Sequence, residues 1–181
     1  MMPKPLIFAL IVGLGLFTAK AQTKIERESD SRFIVAEGDY LPHVIYVADG
    51  DTINNDMFEN QVTLFAFATS WCPFSKSYLY RFEKTLWKKY RNDPRFNFVC
   101  FCIDTEADMS KFGDFVAEYN LTFPVVYDPN ELIYRKFATP KGIVTRSIIA
   151  DKKERIVYLN DEYDNRNFRR TRRLIKKLIH K

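Results

Sequence analysis

Residues 62–76, VTLFAFATSWCPFSK, join two different patterns of apolar residues. Residues 62–68 form a continuous apolar run of strand length, which is typical of a strand buried on both faces. Across residues 73–90, apolar side chains recur every three or four positions, the period of a helix, and the proline at the start suits a first helical turn. The stretch therefore predicts a buried strand that leads straight into a helix, with Cys72 at the junction.

Strand and helix patterns alternate along the rest of the chain. Strands are predicted at 43–53 (a pair around a turn at Asp49 and Gly50), at 95–104, at 123–128 and at 146–159 (a pair around a charged turn). Helices are predicted at 108–120, at 130–138 and from Asn165 onward. This alternation predicts an α/β fold with a central mixed β-sheet flanked by helices.

The start of the chain has the pattern of a secretory signal. Residues 6–17 are an apolar run of 12 residues, too short to span a bilayer comfortably, and the small residues Ala19 and Ala21 suit a signal peptidase. An uncleaved anchor is the alternative. We expect export to the periplasm or the extracellular space, with no stable membrane span after signal cleavage. These assignments divide the chain into a signal at 1–21, a flexible lead-in at 22–35 and a domain at 36–181.

The cysteine count is odd, with thiols at Cys72, Cys100 and Cys102. Disulfides persist in an oxidising compartment. Because three thiols cannot all pair within the chain, at least one must stay free or pair with another molecule even there. We expect Cys100 and Cys102, on one strand, to point to opposite faces, so that they cannot pair with each other, and to act as small core hydrophobes. Cys102 lies nearer the predicted site and is the only internal candidate to resolve a disulfide at Cys72.

Positive charge is concentrated at the C-terminal end of the sequence. The net charge is +5, and residues 165–181 contain eight Lys and Arg residues and no acidic residue. We interpret this segment as an amphipathic helix whose apolar face docks on the sheet while its charges are solvated. Binding to nucleic acid or another anionic surface is the alternative, and no nucleic-acid partner is predicted. The apolar face comprises Phe168, Leu174, Ile175, Leu178 and Ile179.

No cofactor or metal site is predicted. The two histidines, His43 and His180, are isolated in the sequence, and two cysteines that flank one residue of a strand have poor geometry for a metal. The six glycines of the chain form no glycine-rich phosphate loop. The candidate chemistry therefore depends on Cys72 and its neighbours.

Four segments, taken in order, resemble one known family. They are EGDYLPHVIYVADGDTI (37–53), VTLFAFATSWCPFSK (62–76), LTFPVVYD (121–128) and SIIADKKERIVY (147–158). The chain resembles exported members of the thioredoxin-like superfamily, in the branch of the TlpA and ResA thiol–disulfide oxidoreductases and their peroxiredoxin relatives. The resemblance implies a thioredoxin-like fold, with the Trp-Cys turn at the carboxyl end of the central strand, and thiol or disulfide substrates.

The sequence departs from this family at four positions. Ser75 stands in the place of the resolving cysteine, Ala66 in the place of a buried aspartate, and Tyr78 in the place of a glutamate of the TlpA branch. Thr145, counted back from Asp151, occupies the place of the family's cis-proline. A buried acid would relay protons for the second thiol, so the loss of the acids is consistent with the loss of that thiol.

Cys72 is the predicted nucleophile. The helix dipole and the free N–H groups at a helix start favour the thiolate, which is the form that attacks disulfides. Trp71 would shield one side of the sulfur, and Ser75 could hydrogen-bond the thiolate but could not form a disulfide. We therefore predict thiol–disulfide exchange through one thiol. An external reductant would have to clear the mixed disulfide formed with a protein or small-molecule partner.

Two alternatives to this function remain open. A non-catalytic binding module would hold a partner on the surface around Trp71, Pro73 and Phe74. A peroxidase would use Thr69, which has the Thr-x-x-Cys spacing of peroxiredoxins, and Arg146, which lies near the place of their arginine. Without that chemistry, Thr69 is a turn hydroxyl and Arg146 a solvated charge at the sheet edge. Substrate contacts are predicted at Pro73, Phe74, Thr145 and Arg146.

Overall fold

The computed structural model describes residues 32–48, 51–140 and 144–181. Phe33–Lys181 forms one compact unit, which begins three residues before the predicted domain boundary. This early start arises because Phe33 forms a β-bridge with Ala138 and the N–H of Ile34 donates to the carbonyl of Phe137 over 2.8 Å. The predicted signal sequence and the first part of the lead-in lie outside the described residues.

Seven strands are present within the described residues. They are β1 (Ile45–Ala48), β2 (Asp51–Asn54), β3 (Val62–Ala68), β4 (Phe96–Cys102), β5 (Val125–Tyr127), β6 (Arg146–Ala150) and β7 (Ile156–Asn160). β1 and β2 pair as an antiparallel hairpin, as the sequence predicts, and the two residues of its turn lie outside the described ranges. The other strands form one sheet in the order β5-β4-β3-β6-β7.

The five-stranded sheet is mixed, with β3 at its centre. β3, β4 and β5 are parallel, whereas β6 runs antiparallel to β3 and β7 antiparallel to β6. Every residue of β3 is buried, because neighbouring strands pair with both of its edges and side chains cover both of its faces. The prediction of a buried central strand is therefore confirmed.

The long helices all cover one face of this sheet. They are α1 (Pro73–Phe82), α2 (Met109–Glu118) and α3 (Asn165–Ile179). α1 and α2 connect parallel strands that succeed each other in one direction, so right-handed crossovers place both helices on the same face. α3 packs beside α1, where the ring of Phe168 lies 5.6 Å from the ring of Phe82.

The opposite face is covered by the hairpin and by short 3-10 helices at Asn55–Phe58 and Tyr134–Lys136. Phe65 of β3 is fully buried there, with its ring 5.4 Å from that of Phe58 and 5.3 Å from that of Phe101. The two faces therefore carry separate aromatic cores, and the predicted α/β class with a central mixed sheet is confirmed.

A π-helical segment, Glu83–Trp87, interrupts the predicted helix 73–90, and the turn Lys88–Tyr90 completes it. Glu83 is fully buried at the start of this segment, where its carboxylate accepts hydrogen bonds from the N–H of Thr122 at 2.8 Å and from its hydroxyl at 2.9 Å. These bonds tie the helix to the loop that precedes β5. The helical period predicts the length of the element correctly, but it contains no signal for the wider turn.

The predicted helix at 130–138 is reduced to a 3-10 turn at Tyr134–Lys136. The carboxylate of Asp128 accepts hydrogen bonds from the N–H groups of Ile133 and Tyr134, at 3.0 and 2.9 Å. Glu131 has a φ of 55°, in the left-handed region, which a helix cannot include. The turn chemistry of Asp128 therefore overrides the helical pattern of this segment.

The prediction that Cys100 and Cys102 point to opposite faces is wrong. Side chains two residues apart on a strand share a face, and both thiols lie in the core beneath the long helices. Val99 and Phe101, the alternate residues, lie in the core on the other face. Both cysteines are free and fully buried, so their predicted role as core residues is confirmed.

α3 docks as the sequence predicts. Phe168, Ile175 and Ile179 are buried in the same core as α1, and Leu174 and Leu178 pack against it half-buried. Asp164 begins the helix, since its carboxylate accepts a hydrogen bond of 2.6 Å from the N–H group three residues on. No helix of residues 32–48, 51–140 and 144–181 is long and apolar enough to cross a membrane.

Candidate functional site

Cys72 lies between the carboxyl end of β3 and the start of α1. It occupies the N-cap position with extended backbone angles, and its carbonyl accepts the first helical hydrogen bond, from the N–H of Lys76 at 3.3 Å. Pro73 has no N–H group, so Phe74 and Ser75 provide the free backbone donors at the helix start. The sulfur therefore lies where a helix favours negative charge.

Thr145 is the closest polar neighbour of this sulfur from another part of the chain. It is buried immediately before β6, and its hydroxyl donates a hydrogen bond to the Cys72 sulfur over 3.3 Å. The sequence resemblance assigns a cis-proline to this place, and none of the described peptide bonds is cis. A side-chain donor therefore faces the thiol at a position where a proline could supply none.

Ser75 completes a chain of hydrogen bonds that ends at the sulfur. Its hydroxyl oxygen lies 2.5 Å from that of Thr145 and accepts a bond of 3.3 Å from the N–H of Thr69. A hydroxyl has one proton. Because Thr145 gives its proton to the sulfur of Cys72, Ser75 must donate to Thr145. Both hydroxyl protons in this series of hydrogen bonds then point toward the sulfur, which is the arrangement that stabilises a thiolate.

The pKa of Cys72 is lowered from its ordinary value. Burial of the thiol raises the pKa, but the hydrogen bond from the Thr145 hydroxyl and the N–H groups of Ser75 and Phe74, together with the Ser75 hydroxyl behind Thr145, outweigh it. The pKa of Cys102, in contrast, is raised to about 12 by burial, and burial also raises that of Cys100 well above its ordinary value. Cys72 is therefore the cysteine that is prepared to react as a thiolate.

Exposed aromatic side chains surround the buried thiol. Cys72 is 5% exposed, whereas Trp71 is 64% and Phe74 51% exposed, and Pro73 between them is also exposed. Trp71, Pro73 and Phe74, the surface predicted to hold a partner, therefore form a largely apolar rim beside the sulfur. The other two predicted substrate contacts, Thr145 and Arg146, are buried and lie outside this rim. Such a rim can hold an apolar or extended partner while the thiol remains sheltered from water.

Asp104 holds the loop before the cysteine. Both oxygens of its buried carboxylate accept from the N–H of Ser70, at 2.9 and 3.1 Å. Sequence reasoning missed this residue, although a signal was present. Asp104 follows β4 closely and Ser70 follows β3 closely, and the carboxyl ends of neighbouring parallel strands meet at one edge of a sheet.

A second pair of hydroxyls lies deeper beneath the site. The Tyr78 hydroxyl is 3.0 Å from that of Ser147, and Ser147 pairs in register with Ala66 of β3. Burial raises the pKa of Tyr78, so the phenol stays protonated. Ala66 and Tyr78, at the two positions where the resembled family has carboxylates, thus provide a methyl group and a neutral hydroxyl. Sequence reasoning did not single out Ser147.

Thr69 and Arg146, the residues of the peroxidase alternative, do not meet at the thiol. The Thr69 hydroxyl is buried without a hydrogen-bond partner among the described residues. Arg146 is fully buried, and its guanidinium lies 5.2 Å from the ring of Phe33 and 5.4 Å from that of Tyr134. The interpretation of Arg146 as a solvated edge charge is therefore wrong: it belongs to the core on the face opposite the long helices.

The described part of the chain contains no group of three or more His, Cys, Asp or Glu residues that could hold a metal ion. The polar groups around Cys72 are hydroxyl and backbone N–H groups, which are donors to a thiolate rather than ligands of a cation. The arrangement is therefore suited to nucleophilic chemistry of a sulfur atom.

Comparisons with known proteins agree with this geometry. Residues 36–176, which make up more than half of the chain, match the sequence model of the Redoxin family. No curated protein matches the chain significantly in sequence.

Several solved structures share the fold. A provisionally assigned protein disulfide isomerase from Bacteroides thetaiotaomicron is similar with 23% identity and a TM-score of 0.76, over 82% of this chain and 93% of that one. A secreted thiol-disulfide isomerase from Corynebacterium glutamicum has 20% identity and a TM-score of 0.67, over 84% and 94%. A thioredoxin-family thiol:disulfide interchange protein from Chlorobium tepidum TLS has 15% identity and a TM-score of 0.65, over 80% and 99%. The expected thioredoxin-like fold is confirmed.

Proposed function

The chain belongs to the Redoxin family, and we propose that it is an exported protein that carries out thiol–disulfide exchange through the single thiol of Cys72. The family and its thioredoxin-like relatives make thiols and disulfides the substrate class.

The proposed reaction has two exchange steps. In the first, the Cys72 thiolate attacks one sulfur of a partner disulfide, a mixed disulfide forms, and the other partner sulfur leaves as a thiolate. In the second, the thiolate of an external thiol attacks the sulfur of the bound partner, forms a disulfide with it and releases Cys72 as the thiolate. The electrons for net reduction come from the external thiol, and Ser75 cannot replace it because a hydroxyl forms no disulfide.

The observation that carries the proposal is the hydrogen bond from the Thr145 hydroxyl to the Cys72 sulfur. A leftover thiol in a core has no need of donors, and burial would raise its pKa, as burial raises the pKa of Cys102. Hydrogen bonds that lower the pKa of Cys72 favour the form that reacts. The donor set therefore supports a nucleophile rather than a structural residue.

Export is part of the proposal and has two supports. The sequence at 1–21 has the apolar run and small residues of a cleaved signal. Structures of a secreted thiol-disulfide isomerase from Corynebacterium glutamicum and of a secreted disulfide oxidoreductase from Mycobacterium tuberculosis share the fold. Periplasmic or extracellular thiols and disulfides would then be the partners.

A trapping experiment tests the proposed reaction. An active-site thiol without an internal resolver accumulates mixed disulfides, because the attack remains while the release step is absent. Cells that express the tagged protein should show reductant-sensitive bands of higher mass on non-reducing gels. The bands should disappear with Cys72→Ala and persist with Cys100→Ala and Cys102→Ala, since both of those thiols are fully buried. Bands that depend on Cys102 instead would contradict the assignment of the nucleophile.

A binding module without turnover is the second candidate function. The exposure of Trp71 and Phe74 beside a buried sulfur favours it, since a partner could rest on the rim without reaching the thiol. In that case no mixed disulfide would form under any oxidant, and partner capture would survive Cys72→Ala but not Trp71→Ala. The peroxidase alternative gains no support from geometry, because Arg146 lies in the other core.

A further inference from the structure

A groove rich in positive charge lies between the end of the first long helix and α3. One wall is the segment Thr85–Tyr90, from which Lys89 lines the groove, and the other is the middle of α3, which contributes four cations. No acidic side chain lines the groove. The five cations are Lys89, Arg169, Arg172, Arg173 and Lys176.

The fold itself accounts for two of these five cations. Lys89 and Lys176 lie in last helical turns, where the helix dipole favours positive charge. Arg169, Arg172 and Arg173 lie before the last turn, and side chains three or four positions apart on a helix repel one another when their charges are alike. No ion pair within the described ranges engages any of the three. A ligand of opposite charge would relieve this repulsion.

The chemistry of the groove fits phosphate groups. Guanidinium groups bind phosphate oxygens through two parallel hydrogen bonds, and three arginines face the same space. Tyr90, the aromatic residue of the groove, is 5% exposed, and its ring packs inward on Phe96 at 5.8 Å. It offers no platform for stacking a base, which argues against single-stranded nucleic acid as the ligand.

The cations also spread beyond the reach of one phosphate. Arg169 and Lys176 are seven residues apart on α3, roughly 10 Å along its axis, and Lys89 faces them from the other wall. Several phosphates presented side by side on a surface would satisfy this row, as the headgroups of an anionic membrane do.

The groove lies at the far end of the helix that begins at Cys72. Thr85 is 13 residues from Cys72 along a nearly continuous helix, which corresponds to roughly 20 Å. α3 runs beside that helix in the same direction, since Phe168 contacts Tyr78 and Phe82 while later residues of α3 face Thr85–Tyr90. A surface held by the groove therefore leaves the thiol and its aromatic rim free.

We propose that this groove is a phosphate-binding site that holds the domain on the surface of an anionic membrane through lipid headgroups. The binding is peripheral and electrostatic, and it is independent of the chemistry of Cys72. The site directs the thiol away from the lipid toward partners in the adjacent aqueous space.

Vesicle binding tests the proposal. The full chain is compared on vesicles of phosphatidylcholine with phosphatidylglycerol and on vesicles of phosphatidylcholine alone, and the ratio of the two affinities is the readout. The ratio should fall by on the order of a hundredfold in the triple variant Arg169→Gln, Arg172→Gln, Arg173→Gln, because each basic residue near an anionic surface strengthens binding roughly fivefold. The matched control is Lys111→Gln, Arg135→Gln, Lys153→Gln, which removes the same charge from exposed positions outside the groove and should keep most of the ratio.

Further arms distinguish the source of the phosphate. Binding to the anionic vesicles should weaken steeply between about 0.1 and 1 M salt, because the Debye screening length shortens. The binding should also survive Cys72→Ser, so that a failure of this proposal can be told apart from a failure of the proposed exchange reaction. An equal ratio in the groove and control variants overturns the proposal. So does tighter groove-dependent binding of inorganic phosphate, of an oligonucleotide or of polyglutamate than of the vesicles.

Discussion

The hydroxyl of Thr145 donates a hydrogen bond of 3.3 Å to the sulfur of Cys72, although 73 residues separate the two in the chain. The bond links the loop before β6 to the start of α1, and Ser75 extends it by one more hydroxyl. The reactivity of the site therefore depends on how the edge of the sheet meets the helix.

The first prediction concerns the replacement of Thr145 by valine. The variant keeps the shape of the side chain and removes the donor, so the pKa of Cys72 should rise. Because the pKa of Cys72 in the folded protein is lowered, its thiolate persists as the pH falls below the ordinary thiol range and disappears only as the pH passes through the lowered value. Alkylation of Cys72 near neutral pH should slow by on the order of tenfold, since a hydrogen bond to a charged group contributes about 1.5–3 kcal/mol.

Alkylation followed by mass spectrometry across a pH series measures this change. Thr63→Val is the matched control, because the Thr63 hydroxyl is also buried and has no hydrogen-bond partner among the described residues. Equal titration curves for the two variants would show that the Thr145 bond does not tune the thiol.

The second prediction concerns the replacement of Ser75 by cysteine. Cys72 is the N-cap of α1 and Ser75 lies in the first turn, three residues on, and both side chains bond the hydroxyl of Thr145. A disulfide between positions 72 and 75 should therefore form under mild oxidation, with a mass loss of two hydrogens. Ser77→Cys, an exposed position in the same helix, should leave Cys72 free. Free thiols at both 72 and 75 would show that the turn has a different geometry.

The third prediction is that the natural protein is a poor reductase of insulin. With dithiothreitol as the reductant, turnover should be slow and far below that of the Ser75→Cys variant, because each mixed disulfide at Cys72 must wait for an external thiol to release it. The Cys72→Ser variant should give no turnover above background. Turnover by the natural protein as fast as that of Ser75→Cys would mean that an internal group resolves the intermediate, and Cys102→Ala would then identify or exclude the one internal candidate.

The fourth prediction concerns Asp104, which accepts two hydrogen bonds from one backbone N–H of the active-site loop. Asp104→Ala leaves the buried N–H of Ser70 without a partner, so the free energy of unfolding should fall by about 1–3 kcal/mol. Urea denaturation followed by circular dichroism measures it. Asp114→Ala, at an exposed position of α2, should change it by less than about 0.5 kcal/mol. A similar small change for Asp104→Ala would mean that the loop is held by other contacts.

Local patterns in the sequence predict most of the fold. The all-apolar run of β3, the turn signal between β1 and β2 and the helical period after Pro73 each reflect interactions within a few residues, and each element is present. The failures have local causes too. Asp128 accepts hydrogen bonds from two N–H groups and breaks the expected helix. Cys100 and Cys102 lie on one face because side chains two residues apart on a strand point the same way.

By itself, the sequence determined that a lone thiol, Cys72, stands at the start of a helix with no second thiol one turn away, because chain neighbours fix that arrangement. Only the tertiary structure decided what surrounds the thiol. Thr145 reaches the sulfur from the loop before β6, while Asp104, just after β4, and Ser147, in β6, support the site. Arg146 turns into the opposite core because adjacent strand residues alternate between faces. Which of these side chains meets the sulfur depends on the pairing of β6 with β3 and on the packing of α1 across them, and neither is encoded in any short stretch of the chain.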